Sequence, residues 1–239
     1  FEYGLLNASD WQAKWISGNY RVNKRRRYPV DCFKKDFTAI GVVKARLYVT
    51  ACGLYEVKIN GGRVGNFVLA PGHTDYTKRI QYQTYDVTEL IKSGANIITA
   101  ELADGWYRGS CGAWGLRNQY GTQTKLLAQL ELTDGSGKIS RIVTDGNAKL
   151  AKCKVVPSAS NNVALTEHER FSNPKLIVTP KGAKVLDFGQ NIAGYVAFTV
   201  NARAGQRLVL RFGEMFDGEG EFTQKNIQCA TKKLATPLQ

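Results

Sequence analysis

The sequence predicts an all-β protein with two sandwich-like units. Apolar and polar residues alternate along several short runs, and this period of two places one face of a strand in a core and the other in water. The pair Asn60-Gly61 directly follows one such run and is a strong signal for a tight hairpin. Glycine is abundant, with 24 residues, and we find no helical periodicity of useful length. Antiparallel strands with one wet face typically assemble into two packed sheets.

The first predicted strands lie on either side of this hairpin. An opening segment carries Trp11 and Trp15 as apolar anchors, and the run from Phe33 to Phe37 mixes apolar and charged residues as edge strands do. The clearest alternation comes shortly before the hairpin, where Val, Ala and Leu alternate with Lys, Arg and Tyr. In chain order, the predicted strands are residues 9–16, 33–37, 43–49, 55–59 and 63–69.

A short helical turn is predicted in the middle of the chain. Asp86 stands three residues before Glu89, which is a capping-box spacing. Gly94 is placed to end the turn, since glycine adopts a left-handed conformation at no steric cost. Asp134 opens a glycine-rich turn that predicts a further hairpin. The strands around these turns are predicted at residues 82–85, 97–102, 125–132 and 139–143.

The C-terminal third predicts the second unit. Pro, Ser and Asn are concentrated after residue 156, and we interpret this stretch as a crossing segment between units. Residues 195–200 and 208–212 then flank a predicted hairpin loop. This second unit is too short to close a sandwich alone. The predicted division is residues 1–156 for the first sandwich, 157–184 for the crossing segment and 185–239 for part of the second sandwich.

The formal net charge of +13 raises the question of nucleic-acid binding. The only dense basic cluster is Lys24-Arg25-Arg26-Arg27, and the other basic residues are scattered along strands and turns. No helix-turn-helix, zinc-finger or RNA-recognition pattern is present. We therefore interpret the charge as a solvated basic surface and predict no nucleic-acid partner.

The ends of the chain carry no targeting signal that we can identify. The N-terminal residues, FEYGLLNASDW, have neither a basic leader nor an initiator Met, and we expect them to be the cut end of a longer chain. No apolar run approaches the length of a membrane-spanning helix, so we predict no membrane span. Localisation is left open, with an extracytoplasmic parent protein favoured.

Metal and disulfide frameworks are not predicted. The five cysteines, an odd number, contain no CxxC pair, so free buried thiols are expected, with one disulfide as the alternative. His73 and His168 are far apart in sequence and are interpreted as surface or hydrogen-bonded structural residues.

Three segments resemble a known family. They are KARLYVTACGLYEVKINGGRVG, LAPGHTDYTKRIQYQTYDVTELI and LADGWYRG, and they resemble the N-terminal β-sandwich module of bacterial α-L-rhamnosidases. The later segment VLDFGQNIAGYVAFTVNARAGQRLVLRFGE, continued by EFTQKNIQC, resembles the β-sandwich that follows it in the same enzymes. The order and spacing fit over most of residues 9–229. The resemblance implies a jelly-roll, galactose-binding-like first sandwich with a smaller β-sandwich-like unit after it.

The resemblance also implies a function. Members are inverting glycoside hydrolases that remove terminal α-L-rhamnose from plant glycosides and pectic polymers, and their catalytic carboxylates lie in an (α/α)₆ barrel. Because nothing here is helical enough to be that barrel, the chain is expected to be a non-catalytic ancillary region. Its expected partners are a rhamnose-containing glycan and the catalytic domain of the same chain. In some relatives the first sandwich binds rhamnose through calcium; here Asp104 is followed by Gly105 in place of an expected ligand, so no metal or other cofactor is predicted.

The loop after the strand at residues 97–102 is the candidate binding site. It combines flat aromatic rings, which suit the C–H face of a pyranose, with polar groups that suit its hydroxyls, as carbohydrate pockets do. A second interpretation is that Trp106 and Tyr107 anchor the core while Asp104 and Arg108 make hydrogen bonds within a turn. A third is that the loop packs against the catalytic domain of the parent chain and shapes the rim of its active site. The predicted site residues are Asp104, Trp106, Tyr107, Arg108, Trp114, Arg117, Asn118 and Tyr120.

No catalytic residue is predicted on this chain. Inverting hydrolysis needs two carboxyl groups facing each other across a sugar, roughly 6.5–9.5 Å apart. Glu101 and Asp104 are close in sequence, but nothing marks them as such a pair. Two alternatives to the ancillary region stay open. One is a jelly-roll carbohydrate-binding module of another glycosidase, such as a β-galactosidase, and the other is a free-standing lectin-like protein.

Overall fold

The computed structural model describes residues 4–111, 115–161, 163–227 and 233–237. Two compact units are present. The first consists of the described part of Phe1–Cys111 together with Leu116–Glu167, and the second contains the described part of His168–Gln239. In the part of the chain that the structure describes, no helix is long and apolar enough to cross a membrane.

The first unit is built almost entirely of strands, which confirms the all-β prediction. Its helical elements are two 3₁₀ turns, Ala8–Asp10 and Thr88–Leu90, and the four-residue α1, Gly105–Arg108. The strands are β1 (Ile16–Ser17), β2 (Asp31–Ala39), β3 (Val42–Cys52), β4 (Leu54–Ile59), β5 (Gly62–Arg63), β6 (Gln81–Asp86), β7 (Gly94–Ala103), β8 (Lys125–Asp134), β9 (Ile139–Val143), β10 (Lys149–Leu150) and β11 (Ser158–Ala159).

These strands form two sheets. One runs in the order β10-β1-β8-β3-β6-β11, with β9 also paired to β8, and the other runs β2-β7-β4-β5. All pairs are antiparallel except that between β11 and β6. Strand β3 is central, and its register aligns Leu47 with Leu130 of β8 and with Tyr85 of β6.

One core cluster joins the two sheets. Leu47, Val49 and Leu130 from the first sheet are buried together with Val57 and Leu102 from the second. They occupy alternate positions of their strands, as period-two side chains on one face must. Burying each such side chain contributes about 1.5–3 kcal/mol. This shared core makes the first unit a β-sandwich, as predicted.

The hairpin prediction is confirmed, but the returning strand is shorter than predicted. Asn60 and Gly61 both have positive φ, 53° and 84°, as the tight hairpin turn requires. The predicted strand at residues 63–69 is wrong beyond its first residue, because β5 ends at Arg63. Strand β5 pairs only with β4 at the sheet edge, and Leu69 has a φ of 60°, which no extended strand allows.

The first strand is also shorter than predicted. Residues 9–16 were expected to be extended, but a 3₁₀ turn ends at Asp10 and β1 begins only at Ile16. Trp11 lies between them and packs edge-on against Tyr82, with 5.4 Å between the ring centroids. The tryptophan therefore anchors the segment by ring packing and not by strand pairing.

The predicted helical turn after Asp86 is present, although its cap differs. Asp86 Oδ1 accepts hydrogen bonds from the backbone nitrogen and the hydroxyl of Thr88, at 3.0 and 2.7 Å. The partner is therefore Thr88, two residues on, and not Glu89 as the capping-box spacing predicted. A short side chain at Asp86 reaches this nearer donor without a full helical turn. Gly94 has a φ of 93°, as predicted from its need for a left-handed conformation.

The second unit consists of short antiparallel pairs. Its strands are β12 (Lys175–Val178), β13 (Lys184–Asp187), β14 (Arg207–Arg211), β15 (Met215–Phe216), β16 (Phe222–Thr223) and β17 (Lys233–Pro237). Strand β12 pairs with β13, β14 with β17 and β15 with β16, and the 3₁₀ turn Lys225–Ile227 follows β16. Residues 157–184, which were predicted as a crossing segment, contain both β11 of the first unit and β12.

The predicted strand at residues 195–200 is wrong. No regular structure occurs from residue 191 to residue 203, and β14 pairs with β17 instead of this run. The large apolar side chains Tyr195, Phe198 and Val200 are 47–61 % exposed. An alternating apolar pattern makes a strand only when a neighbouring backbone takes its hydrogen bonds, and within the described residues this run has no such neighbour.

Candidate functional site

The candidate loop begins where β7 delivers the chain to one end of the sandwich. The predicted loop contains α1, a single helical turn directly after Asp104. Gly105 has a φ of 51°, and a Cβ added there would lie 2.6 Å from Cγ of Leu54. Only glycine fits this close approach between the turn and β4, so the sequence Asp-Gly fixes where the helical turn starts.

Backbone hydrogen bonds close the loop on itself. Ser110 and Arg117 form an antiparallel bridge, and the nitrogen of Cys111 donates to the carbonyl of Leu116 at 3.0 Å. The nitrogen of Asn118 also donates to the carbonyl of Arg108 at 3.0 Å. The two ends of the loop are therefore held against α1 by main-chain contacts.

An ion-pair cluster fills the inner side of the loop. Arg108 is only 1 % exposed, and its Nη1 donates to Asp104 Oδ1 at 3.0 Å. The other carboxylate oxygen, Oδ2, accepts from Nη2 of Arg117 at 3.1 Å. The Arg108 guanidinium also lies 4.6 Å from the ring centroid of Tyr28 and donates to the carbonyl of Arg26 at 3.2 Å. Asp104 thus ties α1 to the far arm of the loop, while Arg108 ties it to the basic cluster at residues 24–27, which we call the basic segment.

This geometry does not fit calcium. Both carboxylate oxygens of Asp104 face guanidinium groups, whose positive charges oppose a divalent cation. Ca²⁺ takes six to eight oxygen ligands, and in the described part of the chain no cluster of three or more His, Cys, Asp or Glu side chains could hold a metal ion.

Aromatic rings cover the outer side of the loop. The imidazole of His73 stacks on Trp106, with 5.5 Å between centroids and 29° between planes, and Tyr120 stands edge-on to it at 6.1 Å. Tyr76 lies edge-on to Tyr120 at 5.2 Å. We call His73, Tyr76, Trp106 and Tyr120 the aromatic edge.

The aromatic edge has a buried floor and an accessible rim. His73 is exposed, Trp106 and Tyr120 are half-buried, and Tyr76 is buried. Beneath them Tyr107 packs edge-on against Tyr76 at 5.4 Å, and its hydroxyl accepts from Lys125 Nζ at 2.9 Å. Burial raises the pKa of both Tyr76 and Tyr107, so both phenols stay neutral at physiological pH. The floor is therefore uncharged and rigidly packed.

Polar side chains precede Tyr120 in the same loop. Arg117 and Asn118 are half-buried, and Gln119 is exposed. Asn118 Nδ2 donates to the carbonyl of Lys24 at 3.2 Å, while Gln119 Nε2 donates to the carbonyl of Cys111 at 2.8 Å. The loop thus carries partly accessible rings and anchored amide and guanidinium groups, the two kinds of group that bind the apolar face and the hydroxyls of a small polyol.

Five of the predicted site residues fall into two groups. Asp104, Arg108 and Arg117 share the inner ion-pair cluster, whereas Trp106 and Tyr120 belong to the aromatic edge. Tyr107 lies under that edge, Asn118 is bonded to the basic segment, and Trp114 lies outside the described residues.

His73 was missed as a member of the site. It is 33 residues before Trp106 in the sequence, and no paired motif connects them. Its Nε2 also lies 3.8 Å from Sγ of Cys111. The available signal was the short stretch Pro71-Gly72-His73, which marks a turn but does not indicate where the turn lies in space.

Two family models match the chain. Residues 41–163 match the alpha-L-rhamnosidase N-terminal domain, and residues 177–236 match the bacterial alpha-L-rhamnosidase concanavalin-like domain. The first match covers the strands from β3 to β11 and the whole candidate site.

Individual relatives agree with these matches. The chain is 36% identical to an alpha-L-rhamnosidase of Streptomyces avermitilis, over 79% of this chain and 22% of that protein. The crystal structure of an α-L-rhamnosidase from Aspergillus terreus superposes with a TM-score of 0.84 at 30% identity, over 99% of this chain and 32% of that one. The Streptomyces avermitilis alpha-L-rhamnosidase complexed with L-rhamnose superposes with a TM-score of 0.73 at 32% identity, over 88% of this chain and 25% of that one. The chain thus spans between about a fifth and a third of the length of these relatives.

Proposed function

The chain belongs to the family of α-L-rhamnosidase N-terminal domains, and from this premise we propose that it is a non-catalytic ancillary region whose aromatic edge binds L-rhamnose. The parent protein would be a glycoside hydrolase that removes terminal α-L-rhamnose from plant glycosides or pectic polymers. The observation that supports this assignment is the half-buried Trp106, stacked on His73 and flanked by Tyr120.

The chemistry of the sugar fits this edge. L-Rhamnose carries a methyl group and an apolar C–H face, which suit an indole ring, while its hydroxyls suit the amides of Asn118 and Gln119 and the guanidinium of Arg117. Binding a monosaccharide at such an open site is expected to be weak, in the millimolar range, because few groups contact the ligand at once. A preorganised floor of Tyr76 and Tyr107 lowers the cost of ordering the rings.

The ion-pair cluster supports the same proposal in a positioning role. Asp104 holds Arg108 and Arg117 on opposite arms of the loop, and this fixes α1 with Trp106 on it. Neither acidic side chain near the loop is arranged as a catalytic carboxylate. Both oxygens of Asp104 accept from arginines, and Glu101 pairs with Lys58 at 3.6 Å. This arrangement supports a binding edge without its own hydrolytic chemistry.

We also propose how the parent protein is organised and where it acts. We place the inverting catalytic machinery in an (α/α)₆ domain elsewhere in the parent chain, which makes that domain and a rhamnose-containing glycan the partners of this region. We further propose a jelly-roll topology for the first sandwich, a bacterial source and an extracytoplasmic location. The division into residues 1–156, 157–184 and 185–239 is kept as a proposal for the domain plan.

A titration with L-rhamnose tests the binding proposal. Isothermal calorimetry and two-dimensional NMR of this chain should detect saturable millimolar binding, with shifts of the Trp106 indole signal. Trp106→Ala should weaken binding at least tenfold, or about 1.4 kcal/mol, because the stacking ring is lost. Trp11→Ala is the matched control, since that ring packs on Tyr82 outside the aromatic edge.

The outcomes separate sugar binding from the other interpretations of the loop. Binding that survives Trp106→Ala, or that Trp11→Ala weakens equally, would reject the aromatic edge as the site. If L-rhamnose causes no change with the folded wild-type chain, the sugar-binding proposal fails. The loop would then be assigned to contact with the catalytic domain.

A further inference from the structure

Two cysteines meet beneath the aromatic edge. Cys52 is the last residue of β3 and is completely buried. Cys153 lies three residues after β10, is half-buried and packs against the same small core cluster. Both thiols are free, and Sγ of Cys153 lies 3.8 Å from the carbonyl oxygen of Val155, which packs against the same cluster. Two cysteines that are far apart in the sequence thus pack in one core cluster.

A lysine stands beside this thiol pair. Lys125 is the register partner of Cys52 on the neighbouring strand β8, so their side chains project from the same face of the sheet. Its ammonium group donates to the hydroxyl of Tyr107 at 2.9 Å and is close enough to both cysteines to favour their thiolates. An adjacent cation is the environment in which cysteine becomes a nucleophile.

We infer that Cys52 and Cys153 are a redox modification site, a dithiol that closes to a disulfide through thiol–disulfide exchange. The pair differs from Cys32, whose thiol is exposed on β2, and from Cys111, whose sulfur faces His73. Of the cysteines in the described residues, only these two belong to this core cluster. The site does not depend on sugar binding.

The structure also indicates the order of the reaction. Cys153 is the accessible member, and the hydrogen bond from the Cys52 thiol lowers its pKa below the ordinary range. The same hydrogen-bonded neighbour and burial raise the pKa of Cys52. Cys153 is therefore the attacking thiolate and Cys52 the resolving thiol.

A small-molecule disulfide, such as oxidised glutathione, is the oxidant that forms the bond between Cys153 and Cys52. The Cys153 thiolate attacks one sulfur of oxidised glutathione, which breaks the glutathione disulfide and releases one glutathione thiolate. Cys52 then attacks Sγ of Cys153, which forms the protein disulfide and breaks the bond to glutathione, and the departing glutathione takes the Cys52 proton and leaves as a thiol. Two protein thiols are oxidised by two electrons, and one oxidised glutathione is reduced to two thiols.

Peptide mapping of the whole chain tests the inference. The reduced protein is incubated with oxidised glutathione under native conditions, then acidified and alkylated with N-ethylmaleimide before unfolding. Lysine and arginine residues separate all five cysteines, so trypsin places each on its own peptide. We expect one linked species, which joins the peptide of Cys52 to that of Cys153, while Cys32 and Cys111 do not join it. Oxidation of the urea-unfolded chain is the control and should give mixed pairings.

Matched variants complete the test. Cys153→Ser should abolish the linked species, whereas Cys32→Ser should form it as the wild type does. The inference is overturned if oxidised native protein carries glutathione on Cys153 with Cys52 still free, or if both peptides remain alkylated. The wild-type map decides this by itself, so a variant that fails to fold does not affect the conclusion.

Discussion

The two units of the chain are both built of paired strands, but they bury their apolar side chains to very different extents. In the first unit, Leu47 and Leu130 are paired across strands and are at most 1 % exposed. In the second, Leu176 and Leu186 are also paired across strands, yet they are 57% and 56% exposed. Hydrogen-bonded pairing is complete in both cases. The difference is that the first unit places a second sheet over the apolar face.

This contrast shows which interaction stabilises each unit. Backbone hydrogen bonds largely replace those made to water, so their net contribution is about 1 kcal/mol each. Removal of apolar surface from water is the dominant favourable contribution to folding. The described part of the second unit has strand pairing without a covering sheet.

The largest expected effect compares two leucines. Leu47→Ala should destabilise the first unit by about 3 kcal/mol, because it leaves a cavity in a packed core. Leu186→Ala should change stability by less than about 0.5 kcal/mol, as exposed substitutions usually do. Urea unfolding followed by tryptophan fluorescence measures the first variant, since Trp11, Trp15 and Trp106 belong to the first unit, and urea unfolding followed by far-ultraviolet circular dichroism measures the second. Equal losses would mean that the exposed leucine is covered in solution.

The second comparison concerns ion pairs. Arg108→Met removes the charge that faces Asp104 in a buried setting, and we expect a loss of about 3 kcal/mol. Lys181→Met breaks the pair between Lys181 and Glu219, whose side chains are 70% and 75% exposed, and should cost far less, because solvent screens exposed charges. Chemical denaturation of both variants at the same salt concentration measures the difference. A small loss for Arg108→Met would contradict an anchoring role for the cluster.

The smallest expected effect is on the pH dependence of the free energy of unfolding. Hydrogen bonds from the hydroxyl and the backbone nitrogen of Thr88 lower the pKa of Asp86. In the second unit, hydrogen bonds from the backbone nitrogens of Glu221 and Glu219 lower the pKa of Asp217. A carboxylate with a lowered folded-state pKa adds stability above its unfolded pKa, and this stability is lost as pH falls through the folded value. Asp86→Ala should therefore cost about 0.5 kcal/mol at neutral pH, since the side chain is largely exposed.

Unfolding curves measured from neutral to strongly acidic pH check this expectation. The difference between Asp86→Ala and the wild type should vanish at the acid end. Asp217→Ala is the matched variant, and it should leave the tryptophan-monitored unfolding of the first unit unchanged at every pH. A difference for Asp86→Ala that persists in acid would show that the carboxylate charge is not the stabilising feature.

The sequence by itself determined the local elements. Asn60-Gly61 determined its hairpin because only residues that tolerate positive φ form that turn. Gly94 determined the end of its turn for the same reason, and the period-two runs of β3 and β8 determined which face each strand buries. These features depend on neighbours within a few residues. The family resemblance was also readable, since it rests on contiguous segments.

Only the tertiary structure decided the contacts between distant residues. It joined Arg108 to the carbonyl of Arg26, and it brought His73 onto Trp106. Within the described residues it also left 195–200 without a partner strand, although their pattern resembles that of β3. A local sequence pattern indicates that a side chain will be buried, but the topology of the chain determines which distant residue packs against it. That is why strands were predictable and the members of the site were only partly so.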